Sequence, residues 1–180
     1  MPRYAAFLRG INVGGHKSTR MDDVRRAFEA LGFRNVKTLL ASGNVLFDAR
    51  ALGATALVDK IEKKLAAVCG HEIGVIVRTR AELGRLAAAQ PFHRIRVTPR
   101  TRLFVTFLSA TPRSTLKIPY LSPDRSYRIL ILRDRTLCSV LTVGPQWSKN
   151  LRQMDILEKE YGKKITTRSW STVLKVLAAV

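Results

Sequence analysis

The chain reads as an α+β protein built from two successive βαββαβ-like halves. Two observations predict this. Short apolar runs bounded by Gly, Asn and Pro alternate with longer segments whose apolar residues recur at helical spacing. That alternation also starts again after Pro91, so residues 1–90 and 91–180 are expected to form two units of similar build. A length of 180 residues with 46% hydrophobic content is enough for one large domain or two small packed ones.

In the first half, Tyr4 to Leu8 is the opening strand, and Arg9 to Lys17 is a Gly-rich loop. Thr19 is placed to cap a helix carrying Met21, Val24, Phe28 and Leu31, which Gly32 stops. Val36 to Ala41 and Val45 to Phe47 read as strands joined through Ser42-Gly43-Asn44, where Gly and Asn tolerate positive φ. Leu57, Ile61, Leu65 and Val68 mark a second helix ended by Gly70, and Ile73 to Val77 is the fourth strand. A third helix, Ala81 to Ala89, ends before Pro91.

The second half opens with the strand Leu103 to Leu108, followed by a Pro-containing segment with a short helix. Tyr127 to Leu132 and Leu137 to Val143 pair through the hairpin connection Arg133-Asp134-Arg135. A helix presents Leu151, Met154, Leu157 and Tyr161 on one side, and Ser148 is placed to cap it. Ile165 to Arg168 is the last strand, and Ser171 to Val180 the closing helix. The two halves show no residue-level repeat, so their similarity is one of architecture.

Charge is the unusual bulk property. Lys and Arg total 32 against 13 Asp and Glu, for a net charge of +19 and a pI near 11.1. The steepest stretch, residues 91–150, holds 11 basic and 2 acidic residues. Such a field concentrates polyanions, nucleic acid first among them. An Arg-rich composition with no ligand in view explains the same excess. Only Tyr127 offers an interleaved ring in the basic stretch, and Trp147 and Trp170 read as packed beside helix starts.

Several function classes find no support. No apolar run approaches the ~20 residues that span a bilayer, and the N-terminus has no signal-peptide pattern, so a cytoplasmic protein without membrane contact is expected. Cys69 and Cys138 are expected to be reduced. His16, His71 and His93 form no ligand spacing, so neither metal nor cofactor is expected. No G-x-S-x-G elbow is present. Asp22 and Asp23 are accounted for by a first helical turn.

Gly10 to Ser18 approaches the phosphate-loop pattern, but His16 intervenes between Gly15 and Lys17, and the expected sheet is antiparallel. The weaker expectation is a phosphate held by backbone N–H groups and Lys17. In a split βαβ arrangement the first two strands run parallel with the third between them. Arg9 to Lys17 and Ser42 to Asn44 therefore belong on one edge of the sheet and form the candidate anion pocket.

The stretches Arg9-Gly10-Ile11-Asn12-Val13-Gly14-Gly15, Ser42-Gly43-Asn44-Val45 with Phe47, Pro91-Phe92, Ser148-Lys149, and Thr167-Arg168-x-Trp170-x-Thr172-Val173 run the length of the chain. Together they resemble the bacterial family 1697 of domains of unknown function. The resemblance implies two ferredoxin-like subdomains and no established activity. It adds Arg9, Asn12, Gly14, Gly15, Ser42, Gly43, Asn44, Ser148, Lys149, Arg168, Trp170 and Thr172 as candidate binding residues beside Lys17. Ser169 and Ser171 stand where the family pattern favours Asn, and Pro145-Gln146-Trp147 replaces a Gly-rich, basic approach to Ser148.

Three readings follow. The first is a basic anion-binding module whose partners are nucleic acid or phosphorylated small molecules. The second is an enzyme acting on a phosphorylated or carboxylated metabolite, with His16, Lys17 or Ser42 as base or nucleophile. The third is a scaffold in which the motifs serve the fold. Oligomeric state is not encoded in any of these patterns.

Overall fold

The structure is a computed structural model that describes residues 1–11, 19–51, 53–114, 116–144 and 152–180. Two compact units emerge from it: Met1–Arg85 with Leu174–Val180, and Leu86–Val173.

The first unit runs β1 (Arg3–Leu8), α1 (Met21–Ala30), β2 (Arg34–Leu39), β3 (Asn44–Asp48), α2 (Ala54–Cys69) and β4 (Val75–Thr79), with α3 (Arg80–Ala88) directly after. Its sheet has the order β2-β3-β1-β4, and every pairing is antiparallel. Alternation sorts the strand residues by face. Tyr4, Ala6 and Leu8 of β1, Val45 and Phe47 of β3 and Val75 of β4 join Val24 and Phe28 of α1 and Leu57, Ile61 and Leu65 of α2 in one core. Phe28, Phe33 and Phe47 pack ring against ring there, with centroids 4.8–5.9 Å apart. At one end of the sheet, Arg3 Nη1 meets Asp48 Oδ1 at 3.0 Å, and Asn35 Nδ2 donates to Asp48 Oδ2 at 2.6 Å. Burial works against the Asp48 carboxylate, but these bonds from Asn35 and Arg3 prevail and hold its pKa below the usual range.

Gly32 and Gly70 end α1 and α2 with φ of +80° and +72°, as their placement in the sequence predicts. Thr19 does not cap α1. Arg20 occupies the N-cap without a side-chain hydrogen bond, while Thr19 is buried with its hydroxyl on the Cys69 thiol. Asp22 and Asp23 do lie in the first turn.

In the second unit, β5 (Thr101–Leu108), β6 (Tyr120–Leu121), β7 (Tyr127–Arg133), β8 (Thr136–Thr142), α4 (Arg152–Tyr161) and β9 (Ile165–Ser169) precede α5 (Trp170–Ala179). The sheet order is β6-β7-β8-β5-β9, again antiparallel throughout. Asp134 and Arg135 turn the β7–β8 hairpin with φ of 49° and 59°, the left-handed pair that matches strand twist. Leu108, Tyr127, Ile129, Leu137, Leu141 and Ile165 form the core beneath α4 with Leu157.

The short helix expected after β5 is a correction. Among the described residues, 109–119 contain no helix, and the added edge strand β6 follows instead. Pro112 and Pro119 explain this, since each removes an N–H donor and turns its predecessor away from helical dihedrals. The coarse expectation of an α+β chain with two antiparallel sheets holds.

Both sheets are also buried on the face away from these helices. In the first it carries Ala5, Phe7, Leu46, Ile76 and Arg78, and in the second Val105, Phe107, Cys138, Val140 and Arg168. Burial pushes the Cys138 thiol up to about 12 from 9.0, and the Tyr127 phenol up to about 12 from 10.0. Above pH 9 the unfolded chain therefore releases protons that the folded one keeps, so stability falls as pH rises. The unfolding free energy should drop by roughly 2–4 kcal/mol between about pH 9 and about pH 11, on the scale of about 1.4 kcal/mol per unit of separation. Urea titrations across that window check this, and Cys138→Ala should flatten the part that begins near pH 9.

Candidate functional site

Three stretches of the first unit converge at the end of β1. The Leu8 N–H donates to Gly43 O at 2.8 Å, and the Arg9 N–H donates to Gly74 O at 2.7 Å. The exit of β1 is thereby tied on one side to the β2–β3 turn and on the other to the approach to β4. Gly43 has φ +77°, and a Cβ there would run into Ile11 Cγ2 and stand 2.9 Å from Leu8 Cβ. Only a residue without a side chain lets the turn lie this close to Leu8 and Ile11.

Asn44 is fully buried, so it is a fold residue first. Its Nδ2 donates to Leu39 O at 2.9 Å and to Ser42 Oγ at 3.1 Å, which locks the turn around Leu40 and Gly43. Ser42 is exposed beside it. Arg9 is exposed as well, and its side chain lies over Gly74, where a Cβ would stand 2.9 Å from Arg9 Nε. Gly74 is thus part of the same arrangement. Sequence reasoning passed over it, although a Gly directly before a strand of Val and Ile was a signal of close approach.

Arg9, Ser42, Gly43 and Asn44 therefore come together on one edge. Asn12, Gly14, Gly15, Lys17, Ser148 and Lys149 lie outside the described residues, as do His16 and Trp147. The remaining candidates belong to the second unit. Arg168 is 9% exposed on β9, and its Nη1 donates to Thr166 Oγ1 at 2.8 Å and Thr167 O at 2.9 Å. Burial pulls its guanidinium down to about 10, which leaves it charged at neutral pH. Trp170 packs edge-on against Phe92 with centroids 5.3 Å apart. Thr172 serves the start of α5: Ser169 Oγ accepts from the Thr172 N–H at 3.2 Å and lies 2.9 Å from its hydroxyl.

Arg78 was also missed. It is 2% exposed, and its Nη1 donates to Val77 O at 2.9 Å, the bond that Arg168 makes to Thr167 O. Arg78 stands opposite Ala5 of β1, and Arg168 opposite Val105 of β5. Each is followed by a hydroxyl residue that caps a helix, Thr79 through Glu82 and Ser169 through Thr172. Val75-Ile76-Val77-Arg78-Thr79 and Ile165-Thr166-Thr167-Arg168-Ser169 thus correspond position by position, a local repeat the sequence alone concealed.

Cationic side chains dominate the surface of the second unit, and several also satisfy backbone carbonyls. Arg100 Nε donates to Val143 O at 2.7 Å, Arg102 Nη1 to Pro99 O at 2.7 Å, and Arg135 Nη1 to Ser109 O at 3.3 Å. Among the described residues, no three His, Cys, Asp or Glu side chains gather as a metal site.

Two substitutions test the turn. Gly43→Ala should destabilise the protein by about 2–4 kcal/mol, from the left-handed φ and the overlap with Ile11 and Leu8. Asn44→Ala, which removes the part-buried bond to the Leu39 carbonyl from inside the fold, should cost about 1–3 kcal/mol. Equilibrium urea unfolding reads both.

Comparison with known proteins bears on the fold and the family. A solved structure described as a conserved bacterial protein from Streptococcus pneumoniae aligns with a TM-score of 0.75 and 20% identity, covering 98% of this chain and 97% of that one. At that identity the likeness concerns the fold. No curated protein matches. The family model described as a protein of unknown function, DUF1697, matches residues 1–135. The match takes in the motifs at Arg9–Gly15, Ser42–Val45 and Pro91-Phe92, and stops before Ser148-Lys149 and Thr167–Val173. The chain belongs to the DUF1697 family.

Proposed function

We propose that the protein is a non-enzymatic, cytoplasmic anion-binding module whose ligands carry phosphate, nucleic acid foremost. The observation that carries this reading is the convergence of the β1 exit, the Ser42–Asn44 turn and Gly74 at the exposed Arg9. It sits on a chain of net charge +19. The exposed Arg9 at this junction, with Lys17 eight residues on in the sequence, brings positive charge to where a phosphate group can approach. The exposed arginines at positions 94, 96, 100, 102, 125 and 128 extend the positive field without being needed for chemistry.

The βαββαβ order of the first unit, its strand order, and the matched Arg78 and Arg168 positions support a further reading. The chain is two ferredoxin-like subdomains, residues 1–90 and 91–180, arising from one duplicated unit. In this account Arg168, Trp170 and Thr172 hold the second subdomain together, and ligand contacts fall mainly on Arg9, Asn12, Gly14, Gly15, Lys17, Ser42, Ser148 and Lys149.

Binding of a short DNA duplex to protein freed of nucleic acid, followed by fluorescence anisotropy at several salt concentrations, tests the module. Log affinity should fall linearly with log salt, by about 0.9 for each neutralised phosphate. Arg9→Gln should reduce that slope by about 1. A flat salt response, or no binding at low salt, refutes the reading.

A further inference from the structure

A second, chemically different site lies in the second unit. A cavity of about 410 Å³ opens between α4 and the β6–β7 edge of the sheet, and Tyr127, Leu141 and Ile156 supply its apolar walls. The volume falls in the range of small-molecule pockets and far exceeds the ~30 Å³ share of a single water.

The elements bounding this cavity hold an unusual concentration of buried polar atoms whose hydrogen bonds are not made. They are the Tyr127 hydroxyl on β7, the Ser139 hydroxyl on β8, and Gln153 Oε1 and the Tyr161 hydroxyl on α4. Ser139 is the polar neighbour of the Tyr127 hydroxyl, and Ser114 that of the Tyr161 hydroxyl, but neither pair reaches hydrogen-bond geometry. Tyr127 is 2% exposed and lines the cavity, as does Gln153. Buried polar groups in folded proteins almost always have partners, and an unmade bond costs about 1–3 kcal/mol. Of these residues Tyr127 and Gln153 line the cavity, where a polar group of an occupant can supply their partner.

Charge at the mouth selects among occupants. Asp124, Asp155 and Lys159 line it, two carboxylates against one ammonium, and no arginine is among the described lining residues of this Arg-rich chain. The Asp124 carboxylate is engaged in its own turn, accepting from Ser122 Oγ at 2.5 Å, Ser126 Oγ at 2.8 Å and the Ser126 N–H at 3.2 Å. These bonds hold its pKa low, so it stays a fixed negative charge. Asp155, exposed in the first turn of α4, has no ion pair among the described residues and is open to a cationic partner.

We propose that this cavity binds a small aromatic amine. The ring lies between Tyr127, Leu141 and Ile156, a hydroxyl or similar polar tip reaches the Tyr127 hydroxyl and Gln153 Oε1, and the ammonium meets Asp155. The surrounding basic surface repels free amines, so occupancy requires this local pairing rather than the general field. The site is independent of the anion-binding edge in the first unit.

Titration of the whole protein with three probes, followed by NMR, tests the proposal. Tyramine has both the ring hydroxyl and the ammonium, 2-phenylethylamine lacks the hydroxyl, and 3-(4-hydroxyphenyl)propionate replaces the ammonium by a carboxylate. Tyramine at millimolar concentration should give saturable shifts at Tyr127, Leu141 and Ile156. Phenylethylamine should bind about tenfold more weakly, and the propionate not measurably. Asp155→Asn, a change at an exposed position that leaves the fold intact, should weaken tyramine about tenfold. Equal or tighter binding of the propionate, an unaltered tyramine affinity in Asp155→Asn, or shifts confined to other residues overturns the amine assignment. No saturable shift with any probe leaves water as the partner of the Tyr127 hydroxyl, and the proposal fails.

Discussion

The close approach of the Gly43 backbone to Leu8 and Ile11 is the constraint on which the first unit turns. β1 is a central strand, paired on both sides, and its side chains are buried on both faces of the sheet. A strand held this way can emerge only where its neighbours leave room for it. Gly43 and Gly74 leave that room, each accepting one backbone hydrogen bond from the departing chain. The Asn44 side chain closes the turn from inside the fold, and Arg9 comes out over Gly74. Residues that look like a binding motif in the sequence are therefore first the conditions for ending a central strand.

Structural demands and the proposed binding role are superimposed at this edge. Asn44 is buried and Gly43 is held against Leu8 and Ile11, whereas Ser42 and Arg9 are exposed on the same framework. A scaffold of this kind is suited to presenting polar groups, because positions fixed by packing lose little entropy on binding. The second unit shows the opposite balance. Arg168, Trp170 and Thr172 are engaged with Thr166 and Thr167, with Phe92, and with Ser169. Each has a sufficient task in holding β9 and the start of α5.

The two buried arginines share a physical logic. Each sits on the last strand of its sheet, on the face away from α1 and α2 or from α4, and each bonds the carbonyl of the residue before it. Each donor that a buried guanidinium engages lowers the cost of its burial, and backbone carbonyls, with the Thr166 hydroxyl for Arg168, supply acceptors here. The hydroxyl residue that follows it begins a helix in both cases. This pairing of a buried cation with a helix cap is the clearest echo between the halves. The residue two before each arginine differs in kind. Ile76 in the first strand corresponds to Thr166 in the second, and both are buried, but only the threonine has a hydroxyl to accept from its arginine.

Length, charge and hydrophobic periodicity by themselves determined much here: the α+β class, most of the strands and helices, the Gly32 and Gly70 stops, and the antiparallel pairing that sets this protein apart from phosphate-loop enzymes. Those features are local, or follow from which residues must leave water. The juxtaposition of the β1 exit with the Ser42–Asn44 turn was also readable, because strand direction in a split βαβ unit dictates it. Only the tertiary structure decided the rest. That Thr19 turns inward to Cys69 instead of capping α1, that Gly74 admits Arg9, and that Arg78 matches Arg168 all depend on contacts between residues distant in sequence. The cavity under α4 belongs to the same class. Tyr127 and Gln153 are ordinary residues in the chain, and they come to line one cavity only once folding packs α4 over β7.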